Sequence, residues 1–259
     1  MEMLLAIDIG NTNIAIGVFA EERLVATWRL ATDVHKLADE YGAILLDLLP
    51  HSGLALSDIK QAIICSVVPP LVVTFEELCR RYLGLSPLVV TGSGIKTGVR
   101  IRMENPREVG ADRVVNAAVG HRLYGGPLIV IDFGTSTTFD VVSEEGDYLG
   151  GAIAPGILLA AEGLFQSTAK LPRVELVRPK HVIGKNTVSA MQSGIIFGYV
   201  ALVEGLVAQI KRELGKEARV IATGGLAEII AKETKAIELV APDLTLMGLR
   251  IIHELNTKH

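Results

Sequence analysis

The chain has 259 residues, with 25 Lys and Arg against 29 Asp and Glu and a net charge of −4. That length suits one large domain or two modest ones, and buries enough surface to need no disulfide or structural metal. With 49% hydrophobic and 21% charged residues disorder is excluded, and the mild acidity points to small molecules or proteins as partners, with no nucleic acid.

In chain order the first apolar run, 4–9, carries Asp8 and follows Met1-Glu2-Met3 with no basic segment, which predicts no signal peptide and a cytoplasmic protein. A turn and a second strand at 14–19 follow, then the charged turn Glu21-Glu22-Arg23 and a third strand. Apolar spacing predicts helices over 37–49 and 71–83, on either side of a strand at 61–68 that Pro69-Pro70 closes, and a short strand at 88–91. A helix over 111–123 ends at Gly125-Gly126-Pro127.

The chain then repeats itself. Residues 4–13 line up at an offset of 124 with 128–137, so that Asp8-Ile9-Gly10-Asn11-Thr12-Asn13 matches Asp132-Phe133-Gly134-Thr135-Ser136-Thr137. A second strand at 139–142, a charged turn at 144–147 and a third strand follow, then a helix over 188–214, a strand at 219–223 closed by Gly224-Gly225, and helices at 227–232 and about 244–255. Strand hairpins followed by alternating helices and strands, twice over, predict two duplicated α/β domains, 1–122 and 123–259, around a cleft. The uncharged stretch 186–203 includes Asn186, Thr187, Ser189, Gln192 and Ser193, which hydrocarbon would penalise, so it reads as a buried helix with no membrane role. Cys65 and Cys79, in apolar sequence without CxxC spacing, read as reduced core thiols.

Four features could carry chemistry. The turn after Asp8 offers bare backbone at Gly10 and donors from Asn11, Thr12 and Asn13 for phosphate oxygens, and Asp8 could hold Mg²⁺ through water. The turn after Asp132 offers the same. Either turn alone reads as an ordinary hairpin, whereas two at matching positions point to one nucleotide site. Gly224-Gly225 is a tight strand-to-helix turn or a surface for base and ribose. Asp112, in the first turn of its helix, is either a helix-start acid or a general base, with Arg113 beside it to hold an anionic substrate. Gly92-Ser93-Gly94-Ile95-Lys96-Thr97-Gly98 misses both dinucleotide and P-loop spacing, and His253-Glu254 with His259 is too widely spaced for zinc.

These motifs together resemble the type III pantothenate kinases of the acetate and sugar kinase/Hsp70/actin superfamily. The match extends through Ala169-Lys170-Leu171-Pro172-Arg173, Gly184-Lys185-Asn186-Thr187 and Pro242-Asp243-Leu244-Thr245-Leu246. It implies two actin-like (ribonuclease H-like) α/β domains around a central nucleotide cleft, and phosphorylation of pantothenate by Mg-ATP to 4′-phosphopantothenate, the first step towards coenzyme A. It implies ATP phosphates at Asp8, Ile9, Gly10, Asn11, Thr12, Asn13, Ile14, Ala15 and Thr135, alongside the adenosine surface read at Gly224 and Gly225. Asp112 is implied as base, Gly110, Ala111, Asp112, Arg113 and Thr187 as pantothenate contacts, and Asp132 as the site of K⁺ or NH₄⁺. A homodimer is implied, with Thr187 reaching the neighbouring subunit's substrate. Met103 stands where the family usually has a pantothenate-binding tyrosine, and lacks that hydroxyl. The alternatives are a kinase for another small hydroxylated substrate, and an ATP-binding regulatory or accessory protein of the same fold.

Overall fold

The computed structural model describes residues 2–90 and 95–257; Thr91, the Gly92-Ser93-Gly94 part of the glycine-containing loop, and His259 lie outside them. The first sheet is built from β1 (Met3–Ile9), β2 (Asn13–Ala20), β3 (Arg23–Ala31), α1 (Ala38–His51), β4 (Ile59–Ser66), α2 (Pro69–Leu78) and β5 (Leu88–Val90). Its strand order is β3-β2-β1-β4-β5, antiparallel in the hairpins and parallel from β1 to β5. Next come β6 (Arg100–Ile101), α3 (Ala111–Tyr124), β7 (Leu128–Phe133), β8 (Ser136–Val142) and β9 (Asp147–Pro155). The chain finishes with α4 (Ile157–Gln166), α5 (Thr187–Leu214), β10 (Arg219–Thr223), α6 (Ala227–Ala231), β11 (Leu239–Val240) and α7 (Leu244–Thr257).

The second sheet has the order β11-β10-β7-β8-β9-β6, which reproduces the first with one added edge strand. The repeat is therefore a repeat of topology, although the second turn is one residue shorter. Ile9 pairs with Ile14 across the first hairpin, but Phe133 pairs with Thr137 across the second. The counterpart of Thr137 is thus Ile14 and not Asn13.

Contacts divide the chain into two units: Met1–Val99 with Glu104–Val119 and Leu244–His259, and Arg100–Met103 with Gly120–Asp243. This differs from the expected 1–122 and 123–259 chiefly at the C-terminus, where α7 packs on β1, β4 and β2 of the first sheet. Its Leu246, Leu249 and Ile252 share a buried cluster with Leu4, Ala6, Phe19, Ile63, Cys65 and Val115. The opposite face of the same sheet packs Leu5, Ile7 and Ile9 against α1 and α2 through Tyr41, Leu45, Leu71 and Phe75. Burial on both faces makes β1 an unbroken apolar run up to Asp8.

In the second unit Ile129, Ile131 and Phe133 of β7 pack under α5 and α6 through Ile196, Tyr199, Val203 and Ile230. α5 is long and apolar enough to cross a membrane, yet one face of it is core. Phe197, Leu202, Leu206 and Ile210 flank that face half-buried and pack against the core, while the remaining side, including Val188 at 44%, is exposed. Both cysteines are free and buried.

Candidate active site

In the first unit Asp8 stands at the carboxyl end of β1, in register with Ala15 on β2 and Cys65 on β4. The ligand site of an open α/β sheet lies at such strand ends. The turn beyond it is closed by the Gly10 N–H donating to Asn13 O at 3.0 Å and tied to the end of β3. There the Thr32 N–H donates to Thr12 O at 2.9 Å and the Thr32 hydroxyl to Gly10 O at 2.6 Å. Asn11, Thr12 and Asn13 are left exposed. Ile9 and Ile14 have fully buried side chains, so their share in any ligand site is backbone.

Asp112 enters from α3. Asn105 bridges the preceding Pro106–Glu108 turn by donating to Glu108 Oε1 at 2.7 Å. Pro106 fixes the extended entry and Gly110 carries the chain into the helix. Asp112 Oδ1 accepts the Arg113 N–H at 2.8 Å. Burial raises the proton affinity of the Asp112 carboxyl above the ordinary value, against the opposing pull of the Arg113 N–H and guanidinium. The Cys65 thiol is held well up by its own burial and then by the negative charges of Asp8 and Asp112, so the two carboxylates share one neighbourhood beside β4.

In the second unit Asp132 ends β7, in register with Thr138 on β8 and Thr223 on β10. Gly224 lies directly on it. At φ +91° it adopts a conformation that favours glycine, and a Cβ there would stand 2.6 Å from Asp132 Oδ1 and 2.7 Å from the Phe133 backbone. Gly224 is thus packed on the Asp132 carboxylate, while Gly225 beside it is exposed. Thr135 is exposed on a turn that the Gly134 N–H closes onto Ser136 O at 3.1 Å and that the Gly156 N–H ties through Thr135 O at 3.1 Å. A residue missed by sequence reasoning supports this turn from below: Tyr199 Oη on α5 lies 2.6 Å from both Thr137 Oγ1 and Pro155 O.

Met103 follows β6, whose Arg100 and, one residue on, Arg102 both donate to Asp147 at 2.8 Å; its Cγ would lie 3.9 Å from a Cβ on Gly150. Thr187 is exposed as the first residue of α5, just after the N-cap Asn186. Arg173 pairs with Glu162 of α4 and stacks over Phe165, and Asn186 caps a helix, which gives both a structural duty.

A family model described as type III pantothenate kinase matches residues 4–209. The chain belongs to the type III pantothenate kinase family. A type III pantothenate kinase of Dehalococcoides mccartyi is 55% identical over 98% of each chain. Among solved structures, a conserved Baf family protein of Campylobacter jejuni superposes with a TM-score of 0.64 at 17% identity, over 98% of this chain and 100% of that one. A ROK hexokinase of Thermus thermophilus gives 0.51 at 13% identity, over 99% of each. At those identities the likeness is one of fold, the duplicated actin-like α/β architecture. In this member of the family, the motifs at Asp8, Asp112 and Asp132 fall at strand ends or at a helix start, and all three carboxylates are half-buried.

Proposed function

We infer that the protein transfers the terminal phosphoryl group of ATP to the primary hydroxyl of pantothenate, giving 4′-phosphopantothenate. The observation that carries the assignment of roles is the half-buried Asp112 carboxylate at the start of α3, beside Asp8 and inside the family's substrate element. A hydroxyl ionises poorly at neutral pH, so its proton passes to Asp112 as the O–P bond forms, which contributes about 10²–10⁴ in rate. Oδ1 is engaged by the Arg113 N–H, so Oδ2 is the oxygen assigned to take the proton. Gly110, Ala111, Arg113 and Met103 line the pantothenate site, and Thr187 completes it from the partner subunit of a homodimer.

The turn from Asp8 to Ala15 and Thr135 hold the ATP phosphates, with Gly224 and Gly225 against the adenosine. An all-oxygen donor set of one carboxylate with neighbouring hydroxyls and amides suits a hard cation at Asp8, and Asp132 offers a carboxylate for K⁺ or NH₄⁺. Those cations, when bound, neutralise phosphate charge. The residues themselves position: positioning and charge neutralisation carry most of phosphoryl transfer. The cytoplasm, where ATP is made, is the compartment this activity implies.

The test is formation of 4′-phosphopantothenate with and without K⁺ or NH₄⁺, for the parent and for Asp112→Asn. Turnover is expected to fall about 100-fold or more in the variant with ATP affinity kept, and to need the cation in the parent. A variant with most of its activity would remove Asp112 as base, and no product under any cation would remove the substrate.

A further inference from the structure

Gly110 sits two residues ahead of Asp112 with a φ outside the left-handed range, so its backbone is one that alanine also adopts. A Cβ at this position would nevertheless stand 2.6 Å from Asp112 Oδ1, while the next nearest atoms, Asp112 Cγ and Val67 Cγ1, are both at 3.7 Å. The space a side chain would fill is thus occupied by one carboxylate oxygen and nothing else close. That oxygen is the one held by the Arg113 N–H, and the Arg113 and Val114 N–H groups return to Gly110 O at 3.1 and 3.2 Å. Glycine, carboxylate and first helical turn form one closed unit.

We propose that Gly110 is a positioning residue for Asp112: its missing side chain lets the carboxylate fold back over the first turn of α3, which fixes Oδ1 and aims Oδ2 at the substrate hydroxyl. This role rests on the reading of Asp112 as base, and differs from a bare-backbone contact with pantothenate. A contact would act on substrate affinity whatever stood at 112. A positioning residue acts on turnover, and only while the carboxylate is there.

The experiment compares turnover, pantothenate KM, pH profile and melting temperature for the parent, Gly110→Ala, Asp112→Ala and the double variant. In Gly110→Ala the end of a flexible side chain has to move, so the protein is expected to fold. Its kcat should drop about 10- to 100-fold, the scale of a misplaced reacting group. The acid limb of its profile should shift to lower pH as the carboxylate is pushed towards water. The double variant should be no slower than Asp112→Ala. If Gly110→Ala slows Asp112→Ala by the factor it slows the parent, or if it raises KM with kcat kept, the positioning role is overturned. Should Gly110→Ala fold poorly, recovery of the fold in the double variant supports the packing of Gly110 on the Asp112 carboxylate, and continued failure overturns the positioning role. Parental turnover in Asp112→Ala would instead bring down the base assignment, and the positioning role with it.

Discussion

Asp112 combines two demands that oppose each other. In its proposed role as base it must be ionised, yet burial favours its protonated form. Turnover therefore falls as pH drops through a value above the ordinary carboxylate pKa of about 3.9, and the acid limb of the rate profile should lie above that value. The stability effect has the opposite sense. The folded protein holds this proton more tightly than the unfolded chain, so stability is gained as pH falls through the raised value and is lower at pH 7. Asp112→Asn keeps an acceptor for the Arg113 N–H and removes the buried charge, so it should melt at pH 7 roughly 1–3 °C above the parent, as functional groups held at a cost in stability do when replaced. Calorimetry checks this, and a lower melting temperature would mean that the Arg113 interactions outweigh burial.

At the level of elements, α5 links two parts of the second unit that the proposed site uses, Thr187 and the turn after Asp132. Its start is fixed by a capping box in which Asn186 Oδ1 accepts the Ser189 N–H at 2.8 Å and Ser189 Oγ accepts the Asn186 N–H at 3.2 Å. Asn186→Ala should cost about 1 kcal/mol in urea unfolding and raise the pantothenate KM through the adjoining Thr187. Three turns on, Tyr199→Phe removes the hydroxyl that meets Thr137 and Pro155, at a cost of about 1–3 kcal/mol, and should raise the ATP KM more than it lowers kcat. An unchanged ATP KM would show that the second turn holds its shape without Tyr199. The hairpins were legible in sequence because burial on both faces gives unbroken apolar runs ending at Asp-x-Gly. The one-residue slip between them was not, since apolar Ile14 and polar Thr137 occupy equivalent places. β6 and β11 are two residues each, too short to show a period. α4 went unread because the first half has no counterpart and its exposed Leu158 and Leu159 blur the helical stripe. The Gly110–Asp112 and Gly224–Asp132 contacts were beyond sequence, because they depend on where a carboxylate oxygen comes to rest.

For the molecule as a whole, duplication explains how one chain supplies two Asp-x-Gly turns from one topology, and α7 returning to the first sheet gives that sheet its second covered face. Several large apolar side chains of the second unit are left uncovered. Leu158 and Leu159 of α4 are 59% and 55% exposed, Val182 and Ile183 are 66% and 82%, and Val188 at the start of α5 is 44%. The segment carrying Val182 is fastened to α5 by the Ser193 hydroxyl, which donates to Val182 O, and by Gly184, where a Cβ would stand 2.3 Å from Ala190 N. Large apolar side chains held this firmly in water mark an association surface, and a homodimer is the partner that would also carry Thr187 to a second active site. Leu159→Glu with Ile183→Glu should therefore shift the sedimenting species towards the 27.7 kDa of one chain. Because Thr187 lies beside that surface, pantothenate KM should rise in the same variant while ATP affinity, proposed to rest on the turns at Asp8 and Thr135, stays. A parent that already sediments as one chain would reject the dimer, and a dissociated variant with an unchanged pantothenate KM would confine Thr187 to its own subunit or remove it from the site.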